Sequence, residues 1–170
     1  MNAVDTLIAR SEIEDCMKRY ARGVDRRDWD LVRGCFHPDA RDHHGEFYGD
    51  PEEFIEWVKQ RHAAVPFSMH YLLNCLIEFV SPEQANVDTY FWAIQRRGDG
   101  DAQGGTDIEV FGRYIDVFEK RGDCWRIANR KVAYDSTRQS PSTAHLRKLV
   151  GVIGQRDRTD PSYMQLQAAE

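Results

Sequence analysis

At Pro66 the hydrophobic pattern of this chain changes period, and that switch constrains the fold more than any other feature. Before it, Val4, Leu7, Ile8, Ile13, Cys16, Met17, Tyr20, Ala21 and Val24 recur at steps of three and four, the stripe of an amphipathic helix. After it come strand-like runs at 67–80, 85–97, 107–120 and 124–136. Their connections have hairpin chemistry: Ser81-Pro82-Glu83-Gln84, the glycine-rich stretch 98–105, and Arg121-Gly122-Asp123. Helices first and an antiparallel meander afterwards predict an α+β domain, with the sheet curled over about three N-terminal helices. Such a sheet leaves one cavity between the two layers.

Local signals divide the helical part. Ser11 and Glu14 have capping-box spacing, which predicts a restart or kink, and Gly23 weakens the first helix near its end. A second helix fits 28–36, capped by Asp28, with Trp29, Leu31, Val32 and Cys35 inward and Pro38 closing it. A short strand at 41–44 follows, with Gly45 and Gly49 as turns. Asp50-Pro51 starts a third helix, continued by Phe54, Ile55, Trp57, Val58 and Arg61. The core domain is expected over 1–136 and a C-terminal extension over 137–170. In that extension 136–142 reads as a linker, and Ser142 or Thr143 caps a helix with Leu146, Leu149, Val150 and Ile153 on one face. Beyond Gly154 the chain is polar and expected to be loosely ordered.

Composition narrows the function classes. A net charge of -5 and a pI near 5.7 argue against nucleic acid or an anionic membrane as partner. No stretch approaches the ~20 apolar residues of a membrane span. The N-terminus runs directly into Arg10, Glu12 and Glu14, unlike a signal peptide, and a cytoplasmic protein is expected. Cys16, Cys35, Cys75 and Cys124 have no Cys-x-x-Cys spacing and read as reduced thiols.

Two polar residues sit where the pattern asks for core. Asp25 ends the first helix, and His70 lies in the apolar run Met69-His70-Tyr71-Leu72-Leu73-Asn74. Brought together, they make a carboxylate-oriented imidazole, a general base near neutral pH. Alone, His70 reads equally as a hydrogen-bonded core histidine, and Asp25 as a helix-end cap. Strand alternation puts His70, Leu72, Asn74 and Leu76 on one face of a strand apolar on both sides, and therefore central. In the last strand Arg130 and Lys131 face opposite ways. Arg130 is taken as the inward one, placed to bind an anionic group or stabilise a leaving group.

Other motifs carry less. Histidines and carboxylates crowd His37-Pro38-Asp39-Ala40-Arg41-Asp42-His43-His44, but only Asp42 and His44 share a strand face and no metal-ligand spacing occurs, so no metal is expected. The stretch 98–104 is calcium-loop-like, but Val110 stands where the closing Glu belongs. No Gly-x-Gly-x-x-Gly, phosphate-binding loop or Gly-x-Ser-x-Gly is present, so no cofactor is expected.

The order Tyr20-x4-Asp25-x2-Asp28-Trp29-Asp30, then Cys35-Phe36-His37-Pro38-Asp39-Ala40, then His70-x3-Asn74, resembles the SnoaL-like branch of the nuclear transport factor 2-like superfamily. The resemblance covers residues 8 to 137, and the closing Gly154-Gln155-Arg156-Asp157-Arg158-Thr159-Asp160-Pro161-Ser162-Tyr163 is also family-like. It implies a cone-shaped α+β barrel with one deep pocket. In its scytalone dehydratase, bile-acid 7α-dehydratase and hexachlorocyclohexane dehydrochlorinase members, an aspartate of the first helix pairs with a proton-abstracting histidine. Asp25 and His70 stand there. Tyr20 matches a pocket tyrosine of the bile-acid enzyme, where the dehydrochlorinase has lysine, and Arg130 falls at that enzyme's pocket arginine. A second pocket aspartate of the bile-acid enzyme is replaced by Trp92 or Ala93.

The resemblance thus implies a cofactor-independent lyase, with a ketosteroid-isomerase-like isomerase, a polyketide cyclase or a non-catalytic ligand-binding or dioxygenase small-subunit-like protein as alternatives. The chemistry is expected of Asp25, His70, Tyr20 and Arg130. Substrate contacts are expected of Asn74, Asp42, His44, Trp29, Phe91 and Tyr134, the aromatic ones suiting an aromatic or polycyclic molecule. A homo-oligomer is expected, with a trimer favoured by the resemblance.

Overall fold

The first helix, α1 (Ala3–Arg26), is started by Asn2, whose side-chain oxygen accepts the Asp5 N–H. The structure, a computed structural model, describes residues 1–98, 105–142 and 151–164. The helix is continuous, so the Ser11–Glu14 spacing makes neither restart nor kink. Its face from Ala9 through Ile13, Cys16, Met17, Tyr20 and Val24 is buried, and packing along that length outweighs a local capping preference. Val4, Leu7 and Ile8 continue the stripe beyond the core and stay exposed.

Helix α1 stops where Arg27 adopts a left-handed conformation (φ 54°) and its N–H turns back to the Gly23 and Val24 carbonyls. Gly23 is there for space as much as for flexibility. A Cβ at this position would lie 2.7 Å from Val32 Cγ2, so glycine lets α2 (Trp29–Arg33) close onto α1. Asp28 caps α2 as expected. The helix is shorter than its pattern, because Phe36 already enters β1 (Phe36–His44) and Pro38 lies within that strand. β1 turns at Gly45 into β2 (Phe47–Gly49). Helix α3 (Pro51–His62) then opens with Pro51 and a full capping box between Asp50 and Glu53.

The meander follows as β3 (Phe67–Ser81), β4 (Gln84–Arg97), β5 (Thr106–Arg121) and β6 (Cys124–Pro141). The curved, unclosed sheet has the order β2-β1-β6-β5-β4-β3. Three expectations change here. β3 is an edge strand, not a central one, and its outer residues Leu73, Leu76 and Val80 are exposed. β1 runs parallel to β6, so the sheet is mixed. Segment 136–142 is mostly strand, paired with β5 as far as Pro141, rather than a linker.

A β-bulge in β3 matters for the site. Leu72 pairs with Phe91 and Cys75 with Thr89, so β3 carries one extra residue between them. Ser68, His70 and Leu72 face inward before the bulge, and Cys75, Ile77 and Phe79 after it. Asn74 is thereby turned out, against the simple alternation that put it beside His70.

At the centre of the core, Arg130 donates from Nε and Nη2 to the two Asp116 oxygens at 2.8 and 2.7 Å. Both side chains are fully buried. The guanidinium lies over the rings of Tyr20 and Tyr114, 4.2 and 4.3 Å from their centroids. The strand register sets this up, since Arg130 is paired with Asp116 on one side and Asp42 on the other.

The tail 154–164 is ordered, contrary to expectation, and straps the α1–α2 corner. Asp160 accepts the Gln155 and Ser162 N–H groups, Tyr163 and Arg158 donate to the Asp28 carboxylate, and Arg22 reaches the Ser162 carbonyl. The expected helix carrying Leu146, Leu149 and Val150 lies outside the described residues. Ile153, beyond it, is irregular and exposed. No helix among the described residues is long and apolar enough to cross a membrane.

Candidate active site

The last turn of α1 and the start of β3 bring Asp25 and His70 together. Asp25 Oδ1 accepts from His70 Nδ1 at 2.7 Å and from Ser68 Oγ at 3.0 Å, and Oδ2 accepts the His70 backbone N–H at 2.8 Å. Burial pushes the Asp25 carboxyl up, but the His70 imidazole and these hydrogen bonds outweigh it and hold the group below the usual carboxylate range. An ionised carboxylate accepts only, so Nδ1 of His70 carries a proton, and among the described residues Nε2 has no hydrogen-bond partner. His70 lines a cavity of about 230 Å³ between helices and sheet. A carboxylate-held imidazole with one nitrogen free toward a cavity is a competent proton acceptor.

Tyr20, Tyr114 and Phe91 line the same cavity, the last two stacked at 4.4 Å between centroids. Burial, with Tyr114 alongside, keeps the Tyr20 hydroxyl protonated far above its ordinary range, so it can only donate or accept a hydrogen bond at neutral pH. From the other side of the sheet, next to the edge strand β2, β1 supplies His44, which lies against Phe54, Trp57 and Tyr134. Burial, followed by the nearby Asp42, pushes the Tyr134 phenol up to about 12.

Asp42 and His44 do share one face, with Nδ1 and Oδ1 3.7 Å apart, beyond hydrogen-bond reach. Asp42 is fully buried behind His44, and neither of its oxygens, nor His44 Nδ1, has a partner among the described residues. Among those residues no three His, Cys, Asp or Glu side chains converge as a metal site.

The sequence-derived candidates separate accordingly. His70, Tyr20, His44, Phe91 and Tyr134 line the cavity, and Asp25 stands directly behind His70. Arg130 points inward as expected, but it sits behind the Tyr20 and Tyr114 rings with Asp116 taking its charge. An anionic substrate group therefore does not reach it in this conformation. Asn74 is exposed in the bulge, and Trp29 packs on the core away from the cavity. His62 at the end of α3, Gln95 on β4 and Tyr114 on β5 also line the site and were not singled out from sequence. Alternation along β4 and β5 gives the inward face that carries Phe91, Ala93, Gln95 and Tyr114, so that pattern held a usable signal.

A comparison with curated proteins returned no significant match. Among solved structures, the type 2 hexachlorocyclohexane dehydrochlorinase LinA has a TM-score of 0.73 at 20% identity, covering 84% of this chain and 95% of that one. A provisionally assigned scytalone dehydratase from Novosphingobium aromaticivorans gives 0.70 at 20% identity, over 83% of this chain and 92% of the other. The beta subunit of a provisionally assigned aromatic-ring-hydroxylating dioxygenase from the same organism gives 0.63 at 21% identity, over 78% and 93%. These likenesses are of fold. Residues 5–131 match the model of the SnoaL-like domain, and the chain belongs to the SnoaL-like domain family.

Proposed function

We propose that this protein is a cofactor-independent lyase acting on a small aromatic or polycyclic molecule. The carrying observation is the 2.7 Å contact between His70 Nδ1 and Asp25 Oδ1, with His70 on the cavity wall. In the dehydration we favour, His70 Nε2 takes a proton from an acidified C–H. The electron pair forms the new double bond as the C–O bond breaks, and the departing hydroxyl gains a proton and leaves as water. The His70 imidazolium passes that proton to the departing oxygen, and Tyr20, held in its hydroxyl form, donates a hydrogen bond to it. Asp25 is a positioning residue that fixes the His70 tautomer and stabilises the imidazolium.

Retro-aldol cleavage uses the same base on an O–H proton, and isomerisation or cyclisation returns the carbon proton elsewhere. The fold relatives that carry lyase names support elimination first. The test is a panel of β-hydroxy aryl ketones followed by the absorbance of the conjugated product. Turnover lost in His70→Ala and reduced in Asp25→Asn supports the reading; full activity in both variants removes it.

The likeness to a dioxygenase beta subunit favours a second, non-catalytic reading. It predicts co-purification with a larger partner and no turnover of any panel member. Leu73, Leu76, Val80, Tyr90 and Ile115 are exposed on the outer sheet face, which supports a homo-oligomer, with trimer as the proposed state. Light scattering of the purified chain measures it.

A further inference from the structure

Arg156 comes from the tail, far from the cavity in sequence, yet its guanidinium ends against the cavity wall. Nε donates to the Asp25 carbonyl at 3.0 Å, Nη2 to the Val24 carbonyl at 3.1 Å, and Nη1 to the Val65 carbonyl. Nη2 also meets His62 Nδ1 at 2.9 Å. These carbonyls close the C-terminal end of α1 and the turn after α3, where a cation is favoured.

The chemistry of the guanidinium decides the state of His62. Arginine has N–H donors and no acceptor, so His62 Nδ1 must offer its lone pair. His62 is then neutral, with its proton on Nε2. Burial, and after it the charges of Arg156 and His70, pull the His62 imidazole down to about 3, which agrees with a ring that stays neutral. Nε2 of His62 lies 3.2 Å from the Gln95 side-chain atom placed as Nε2, a pairing in which amide nitrogen and oxygen are interchangeable by a half-turn. Because the ring nitrogen carries the proton, the contacting Gln95 atom must be the oxygen, and the amide is turned accordingly. The Gln95 NH2 group is then free on the side of the cavity that both residues line.

We propose that Arg156 fixes His62 as its Nε2–H tautomer and so orients Gln95, whose NH2 group binds a carbonyl oxygen of the substrate beside His70. This deepens the lyase reading and rests on it for the role of His70. The substrate class becomes a ketone, or a related carbonyl compound, whose adjacent C–H is acidified by the oxygen that Gln95 holds. When His70 removes that proton, the charge moves onto the oxygen, where a donor that does not titrate can stabilise it without giving up its own proton. Arg156 and His62 are positioning residues in this arrangement.

Two measurements test it. Long-range 1H–15N correlation spectra of the ring nitrogens in the full chain should show wild-type His62 with a pyridine-type Nδ1 and a pyrrole-type Nε2. The pattern should average between tautomers in Arg156→Met and be regained in Arg156→Lys. A protonated Nδ1 in the wild type, or an unchanged pattern in Arg156→Met, overturns the proposal. Quenching of Trp57 by 2-tetralone and by its hydrocarbon counterpart tetralin should show the ketone binding about tenfold more tightly, the worth of one net hydrogen bond. Gln95→Leu should abolish that preference, bringing the two affinities together. Equal affinities in the wild type, or a preference that survives Gln95→Leu, overturn it as well. Neither measurement needs turnover, so failure of the lyase reading leaves these results distinct.

Discussion

Asp25 and Asp42 are both aspartates buried beside a histidine that lines the cavity, but their surroundings differ. Asp25 accepts three hydrogen bonds, two from His70 and one from Ser68. Among the described residues Asp42 accepts none, and its histidine stands 3.7 Å away. One pair is organised before any ligand arrives, as a general base has to be. The other keeps unsatisfied polar atoms, which cost stability and are tolerated where a ligand or a small closure supplies the missing partner. Strand register put Asp42 beside Arg130, yet Arg130 gives its hydrogen bonds to Asp116 and Met17 Sδ. Position in a ladder does not by itself satisfy a carboxylate.

The comparison breaks most sharply at the histidines. His70→Ala is expected to lower kcat/KM on an active panel ketone by ~10²–10⁴, the usual worth of a general base. His44→Ala is expected to raise KM with little change in kcat, the mark of lost uniform binding. Equal losses of kcat in the two variants would show that the base had been misplaced.

Arg130→Met comes next. It leaves Asp116 buried without its partner and is expected to cost about 3–5 kcal/mol in denaturant unfolding. The Asp116→Asn/Arg130→Met double variant should cost less than the sum of the single changes.

The two aspartates themselves follow. Asp25→Asn removes a carboxylate that collects three donors and should destabilise by about 1–3 kcal/mol. Asp42→Asn removes an unsatisfied one and should cost less than about 1 kcal/mol, or add stability. A larger loss for Asp42→Asn than for Asp25→Asn reverses the comparison.

Acid titration spreads its effect over several pH units. The folded-state value of His62 is depressed to about 3 from 6.5, so between these values the unfolded chain binds the extra proton. Stability therefore falls on acidification through that window, by at most about 1.4 kcal/mol per pH unit from this residue. Asp25 acts lower. Its folded value lies below 3.8, so its contribution is intact above 3.8 and is lost as pH falls through the folded value. His62→Phe should flatten the unfolding midpoint between pH 4 and 6 and leave the steeper loss below pH 4 in place.

Much of the architecture was legible because it is local. The switch at Pro66, the Asp50–Pro51–Glu53 helix start and the hairpin links at 81–84 and 121–123 each come from a few adjacent residues, while most of the glycine-rich link 98–105 lies outside the described residues. Asp25 and His70 stood out as polar residues set in core patterns, Tyr20 came in through the family resemblance and His44 through its strand face, and the structure puts His70, Tyr20 and His44, with the aromatic Phe91 and Tyr134, on the cavity wall. What failed to show depends on distant pairing. The bulge that turns Asn74 outward is a mismatch between β3 and β4, invisible in β3 alone. The edge position of β3 follows from sheet order, which its apolar outer face conceals. Arg156 reads as one charge in a polar tail, because its partners are carbonyls of residues 24, 25 and 65 and a ring at 62.

The central claim is that His70, held by Asp25, takes a proton from carbon. Deuterium wash-in at the carbons flanking the 2-tetralone carbonyl, followed by NMR in D2O, reads that step without needing the natural substrate. Wild-type protein is expected to accelerate exchange well above buffer, Asp25→Asn to slow it, and His70→Ala to return it to the buffer rate. Exchange at the buffer rate with wild type, or undiminished exchange with His70→Ala, would contradict the account.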